Sequence, residues 1–486
     1  MADFGFCGPA YVAPSIYQNA QECINWRLEK DLTKADGERG QWSLYPTPGK
    51  VTMVTPAAAE VRALRSCMGG TILLAVVGNT VYSINQAWTA TSVGTLSTST
   101  GQCRIADNGS GAGGAIITDG VSRYGYKFSG TWQGALTDGG FTNTGIGCDC
   151  VDNFIVYFQT ASQNWGCTNA NDTASIALSV AKKTGSPDNI VGIIVHQHEV
   201  FLLGEFTTEA WVDEGAYPFP FGLVPIPGTS SQHGCVAPGS VAQLGDSFAW
   251  VGRDRKGQGI IFQMQQYEPV QISTHAVTAT LQNVDGTPAT LSDAVGFTYF
   301  LEGHECYVVT FPTLDITWVY DLATEQWHKW LSWDGTSWHR NRANCGAQFN
   351  GLSLVGDQSN GKISALTNYT FTEDGNTIRR LRRAPHNVAD FKQVGHQKLQ
   401  LQFQPGVGLS TGQGSDPQAM LRWSHDGGST WSNEHWRSIG KTGKYRNRAI
   451  WRKLGIARDN VYEVSMTDPV KAVIVSADLV ALAGDT

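Results

Sequence analysis

Charge is scarce in this 486-residue chain. Asp, Glu, Lys and Arg together make up 16% of it, against roughly 25% in an average soluble domain. A basic excess is missing as well: 35 Lys and Arg stand against 42 Asp and Glu, a formal net charge of −7. A free-standing nucleic-acid binder would instead carry a basic face. Long apolar runs are absent. The longest, Ile72-Leu73-Leu74-Ala75-Val76-Val77, has the length of a strand and falls far short of the roughly 20 residues of a membrane helix. The opening Met1-Ala2-Asp3-Phe4-Gly5 has no basic-then-apolar leader, so cytoplasmic synthesis without a membrane partner is expected. Sustained 3.6-residue periodicity is also lacking, which predicts few helices.

The signatures of catalysis and cofactor binding are missing too. Ten cysteines are scattered; the nearest pair, Cys148 and Cys150, has no second pair to complete a zinc site, so buried free thiols are expected. The glycine-rich stretch 109–114 lacks the Lys-Ser/Thr that would hold phosphate, and no G-x-S-x-G elbow occurs. Nothing singles out an acid/base carboxylate pair. No cofactor and no enzymatic activity are expected.

What is present is glycine (55), tryptophan (16) and a 41% apolar content. That is enough apolar material for sizeable cores, and the length exceeds what one core usually serves. Few charges with many aromatics also hint at surface covered by partner subunits. Short Val/Ile/Phe/Tyr-rich segments bounded by Gly, Asn, Asp or Ser recur from about 51 to 370, at 71–77, 80–84, 114–118, 154–158, 191–196, 199–203, 247–251, 259–263, 306–311, 317–320 and 352–355. Several groups read as copies of one unit: 69–84, 193–211, 306–327 and 352–366. Spacings near 40–50 residues mark propeller blades. The predicted architecture is mainly β: a β-propeller of about six blades over 51–375, with a pair of β-sandwiches as the competing arrangement. The Tyr320-Asp321…Trp327 step resembles a kelch-type strand pair. The polar stretch 162–186 reads as a surface insertion or long loop. Residues 376–486 read as a separate β-rich platform domain, packed with an N-terminal segment 1–50.

Three constellations invite chemistry. Ser424-His425-Asp426-Gly427-Gly428-Ser429-Thr430-Trp431 fits the Asp-box pattern S-x-D-x-G-x-T-W, with Ser424, Asp426, Gly428, Thr430 and Trp431 at its defining positions. There the Asp accepts backbone N–H bonds, glycine supplies positive φ, and the tryptophan is expected to plug the hairpin into the core. Trp431→Ala would then cost roughly 3–5 kcal/mol. Sialidase-type propellers carry such boxes away from their active sites, so the motif is structural. His196 and His198, two apart on a predicted strand, would share a face and could hold a transition metal; ordinary half-buried histidines are the simpler reading, and the same holds for His304 beside Glu302, Glu305 and Cys306. The basic run Arg379, Arg380, Arg382 and Arg383 could line a DNA channel or form ion pairs with a neighbouring subunit, and the acidic chain favours the subunit contact.

The ordered series 408–417, Leu421-Arg422-Trp423, the Asp box, 440–445, 451–455, Ala457-Arg458-Asp459 and Thr467-Asp468-Pro469-Val470 closely resembles the packaged-DNA stabilisation protein family of short-tailed phages, also called the tail hub or nozzle. The middle agrees at Gly204-Glu205, Thr208-Glu209-Ala210-Trp211, 250–257 and 272–276. The first 150 residues agree loosely, at Asn25-Trp26 and Pro46-Thr47-Pro48-Gly49.

The resemblance implies a virion tail subunit assembled in the host cytoplasm. It would form a homohexameric ring beneath a portal–adaptor ring, retain packaged DNA and form its ejection channel. The resemblance further implies tailspike or fibre partners, a needle or plug, and double-stranded DNA passing without sequence-specific binding. Six copies at −7 each carry about −42, so channel-facing loops are expected to be acidic or neutral and to repel phosphate. The rival reading is a carbohydrate-binding or sialidase-like propeller, which requires converging arginines and paired carboxylates in a pocket.

Overall fold

The computed structural model describes residues 4–13, 15–35, 38, 40–109, 113–215, 223–253, 259–284, 287–389 and 392–484. Positions 1–3, 110–112 of the glycine-rich stretch and 254–257 of the 250–257 motif lie outside the described residues. Internal contacts divide the chain into two units, one of 1–51, 316–340 and 367–486, the other of 52–315 and 341–366.

In the second unit, antiparallel sheets follow one another along the chain. Four have four strands each, over 61–95, 104–135, 144–182 and 190–225, and a fifth covers 234–271. Then come the pair Val295–Leu301 and His304–Phe311, and the set Ala343–Phe349, Leu352–Asp357 and Ile363–Thr367. Tight turns join neighbouring strands at Asp152-Asn153, Gln197-His198, Glu302-Gly303 and Asn350-Gly351, all with positive φ. That backbone matches the right-handed twist of a hairpin.

Apolar cores lie between successive sheets. Ala63, Leu74 and Val76 pack with Ile105, Ile117 and Tyr124. Ala106 and Ile116 pack with Ile155 and Tyr157, Val156 and Trp165 with Leu202 and Trp211, and Phe201 and Leu203 with Phe248 and Trp250. The series closes on itself: Val61, Leu64 and Leu73 of the first sheet share a core with Phe349, Leu354 and Ile363 of the last, joined by Met53 and Val54. Sheets arranged face to face in a closed ring form a β-propeller. Among the described residues it counts seven sheets where the sequence suggests about six, because the blades are too degenerate for spacing alone to number them. The polar stretch 162–186 is part blade and part loop: Asn164–Cys167 and Val180–Lys182 are the outer strands of the third sheet, and 168–179 form the long connection between them.

The first unit contains a two-sheet sandwich. One sheet runs in the order Trp26–Lys30, Trp42–Pro46, Ile474–Ala483, Val394–Phe403, Ala449–Arg452. The other places Glu22–Ile24, Arg380–Arg383, Asp459–Met466, Gln418–Ser424 and His435–Ser438 side by side. Between them lie Trp26, Leu44, Leu399, Leu401, Leu421, Trp451, Tyr462 and Val464. By internal contacts 316–340, which lie within the expected propeller range 51–375, group with this unit. Ile24 pairs in parallel with Lys329, and the Lys329 ammonium reaches Glu22 at 2.5 Å.

Candidate functional site

The Asp box is built as a turn. Asp426 accepts from the Thr430 N–H at 2.8 Å and the Thr430 hydroxyl at 2.6 Å, while the Ser424 hydroxyl donates to Asp426 and accepts from the Gly428 N–H. These donors, led by the Ser424 hydroxyl, hold the Asp426 carboxyl well below the usual carboxylate range. Trp431 departs from expectation. It is half-buried and outside the sandwich core, and its indole N–H closes back on the Gly428 carbonyl at 3.0 Å. The cost expected for removing a core plug does not apply to it.

The ring of Trp431 lies against two guanidinium groups, Arg383 at 4.9 Å and Arg422 at 4.7 Å from its centroid. Both arginines bind the buried carboxylate of Glu463: Arg383 through Nε and Nη2 at 2.9 and 2.7 Å, and Arg422 through Nε at 2.5 Å. The Asp box and the arginine run, 41 or more residues apart in sequence, thus meet over one carboxylate.

Two of the run's four arginines are corrected as interface candidates. Arg380 and Arg382 are fully buried and cannot meet DNA or a neighbour. Arg382 donates to the carbonyls of Phe6, Gly5 and Glu22 and to the Gln21 amide oxygen. Among the described residues the one hydrogen bond of the Arg380 guanidinium goes to the Asp468 carbonyl, at 3.3 Å. Arg379 stacks on Trp333 at 4.4 Å, half-buried.

The histidine pair is corrected too. His196 ends strand Ile190–His196, whereas His198 sits in the following turn with φ 65°, so the two do not share a strand face. Each meets a different partner: Gln243 at 3.3 Å for His196 and Asp152 at 2.8 Å for His198. Among the described residues no group of three or more His, Cys, Asp and Glu is placed to hold a metal ion. The ten cysteines are free, and burial pushes the Cys23 thiol up to about 11 and the Cys148 and Cys235 thiols up to about 12. Such thiols are inert as nucleophiles.

A cavity of about 350 Å³ lies among the innermost propeller strands, lined by Arg65, Arg104, Phe297 and Gln348 among others. Its ionic groups are engaged in holding blades together. Arg104 donates to the Gly239 and Val241 carbonyls. Arg65 stands 3.6 Å from Asp107 and 3.9 Å from Asp149. Asp107 accepts the Met68 N–H, and Asp149 accepts those of Cys150 and Val195.

One surface escaped the sequence reading. Between His435 and Arg458 stand eight Lys and Arg (Arg437, Lys441, Lys444, Arg446, Arg448, Arg452, Lys453, Arg458) and no Asp or Glu. The other 462 residues then carry −7 − 8 = −15. A sliding net-charge count would have found this stretch; a search for consecutive basic residues does not.

Two family models match the sequence. Residues 44–371 match the β-propeller of bacteriophage P22 Gp10 and residues 380–481 its β-sandwich. No curated protein matches it. Among solved structures, similar folds occur in a streptogramin B lyase (10% identity, TM-score 0.42, covering 66% of this chain and 97% of that one). They occur also in a catalytically inactive virginiamycin B lyase from Staphylococcus aureus with quinupristin (12%, 0.44, 66% and 98%) and in the Neurospora crassa Pan2 WD40 domain (10%, 0.40, 65% and 95%). With both family models matched in order across most of its length, the chain belongs to the bacteriophage P22 Gp10 family, the tail hub and stabilisation proteins of short-tailed phages.

Proposed function

We propose that the protein is a non-enzymatic tail hub subunit that assembles as a six-membered ring below a portal–adaptor complex. In this reading the ring retains packaged DNA and forms the channel through which it leaves, and tailspikes or fibres and a plug attach to it. Assembly takes place in the host cytoplasm. The observation that carries this reading is the match of propeller and sandwich models, in order, over 44–371 and 380–481. Supporting it, the groups that could suggest catalysis have structural duties: Asp426 in a turn, and Asp107 and Asp149 on backbone N–H groups. The overall charge of −7 per copy suits a conduit that repels phosphate rather than holding it. Electron microscopy of the purified chain mixed with its portal–adaptor complex tests the proposal. A six-fold ring at the tail end is expected; a monomer that cleaves a glycan would overturn it.

A further inference from the structure

The basic stretch 435–458 occupies one side of the sandwich. One sheet ends on strand His435–Ser438 and the other on Ala449–Arg452. The two edges are tied together by Arg437 Nε donating to the Ile450 carbonyl at 3.1 Å and Trp451 Nε1 donating to the His435 carbonyl at 2.7 Å. The connecting loop folds back on them through Asn447, whose amide donates to the Ser438 carbonyl at 2.7 Å. Lys444, Arg446, Arg448 and Arg452 are exposed and make no ion pair among the described residues. Charges on edge strands commonly serve only to block edge-to-edge pairing. That reading does not explain Trp436 and Tyr445, which stand 54% and 69% exposed amid the cations, since exposed aromatics invite association.

The propeller carries a surface of opposite sign. The turn ends of its third to seventh sheets touch in sequence: His198 with Asp152, His196 with Gln243, the Gly245 N–H with Glu305, and the Phe300 N–H with Ser353. The Tyr267 hydroxyl of the 266–267 turn donates to Glu199 at 2.7 Å, so these turns share one face. On it Asp152, Asp246, Glu268 and Glu302 are exposed and Glu199 and Glu305 half-exposed. The turns 152–153, 197–198, 245–246, 266–267 and 302–303 hold no Lys or Arg. Phe300 and Tyr267 stand exposed among these acids.

We infer that the basic sandwich edge of one copy docks on the acidic turn face of the propeller of a second copy. Two different surfaces meeting make a heterologous contact, which generates a ring where its rotation closes; the inference thus rests on the self-assembly part of the function proposed above. Cations meet carboxylates, and Trp436 and Tyr445 meet Phe300 and Tyr267, a charged rim around aromatic anchors.

A charge exchange tests it. Full-length chains carrying Lys444→Glu, Arg446→Glu and Arg448→Glu, or Asp246→Lys, Glu268→Lys and Glu302→Lys, are compared with wild type by analytical ultracentrifugation and electron microscopy, alone and with the portal–adaptor complex. Melting curves verify folding. Each variant alone is expected to assemble at least tenfold more weakly than wild type, and an equimolar mixture of the two to regain assembly, because each supplies the surface that the other lacks. Normal assembly of either folded variant, or no recovery on mixing, overturns the inference while leaving the ring intact. If only the first variant is impaired and it has also lost salt-sensitive binding to duplex DNA, the strip is a nucleic-acid surface and the inference fails. A wild-type chain that forms no ring in any condition removes both proposals. Should one variant not fold, the other alone decides through its own assembly.

Discussion

Arg380 and Arg382 are neighbours on one strand, and both are fully buried, yet their surroundings differ. Arg382 is fully engaged, with donors on three carbonyls and an amide. Arg380 has one long bond, and its Nε and one terminal nitrogen find no partner among the described residues; burial lowers its guanidinium to about 10. Removing one partner of a satisfied buried network strands the others, whereas replacing a poorly paired buried charge by an apolar group is often neutral or favourable. Arg382→Met should therefore destabilise by about 3 kcal/mol, and Arg380→Met by less than about 1 kcal/mol or not at all. Chemical denaturation of both variants checks this, and equal losses would refute it. A sequence reader puts an arginine run on the surface because charge belongs in water. The carbonyls that bury Arg382 come from residues 5, 6 and 22, some 360 positions away, and leave no local mark.

His396 offers a second residue-scale test. Its ring is buried, neither nitrogen has a partner among the described residues, and it lies edge-on to Tyr462 at 5.8 Å. Burial, and then the nearby His425, lower its pKa to about 4. The unfolded chain takes up this proton near pH 6.5 and the folded one only near 4, so the stabilisation is complete above about 6.5 and is lost as pH falls to about 4. The loss amounts to about 3 kcal/mol. Melting at pH 7 and pH 4.5 should show a steeper acid decline in wild type than in His396→Phe, which cannot titrate; parallel declines would count against it.

Among elements, the short strand Glu22–Ile24 and the residue after it matter beyond their length. Asn25 is buried with φ 58°. Its amide donates to the Leu331 and Arg379 carbonyls at 2.7 Å each, its side-chain oxygen accepts the Leu331 N–H, and its own N–H donates to Lys329. One side chain thus joins three stretches of the first unit. Asparagine is among the few non-glycine residues that tolerate this backbone. Asn25→Ala combines strain with unsatisfied carbonyls and should cost about 3–4 kcal/mol; Asn25→Gly keeps the φ and should cost about 1 kcal/mol less. Thermal unfolding of the pair reads the difference, and identical values would dismiss the backbone argument. The sequence showed Asn25-Trp26 as a loose family likeness, but not this role. Strands in the propeller were far more legible, because Val, Ile and Tyr runs between turn residues report local geometry. The parallel pairing of Ile24 with Lys329 joins residues 305 apart and reports nothing locally.

At the scale of the whole molecule, the family sandwich at 380–481 is not the whole folding unit. Residues 1–51 supply Phe6, Trp26, Leu28 and Leu44 to its core and add strands Trp26–Lys30 and Trp42–Pro46 to one sheet. Burying four such side chains contributes about 8 kcal/mol at roughly 2 kcal/mol each, comparable with the whole stability of a domain at about 5–15 kcal/mol. A fragment of 376–486 alone should therefore lack a cooperative melting transition and bind a hydrophobic dye. The same fragment joined by a flexible linker to 1–51 should melt cooperatively, with Trp26 restored to its bond with the Ala472 carbonyl. Omitting 316–340 removes a smaller cluster of Ile24, Leu331 and Leu381 and the bonds that Glu22 and Asn25 make to Lys329 and Leu331, and so should lower the melting temperature without abolishing the transition. Circular dichroism and calorimetry on the two proteins decide the matter. A cooperative transition in 376–486 alone would mean that the N-terminal strands adorn a self-sufficient sandwich. Its absence from both would place the missing stability in 316–340.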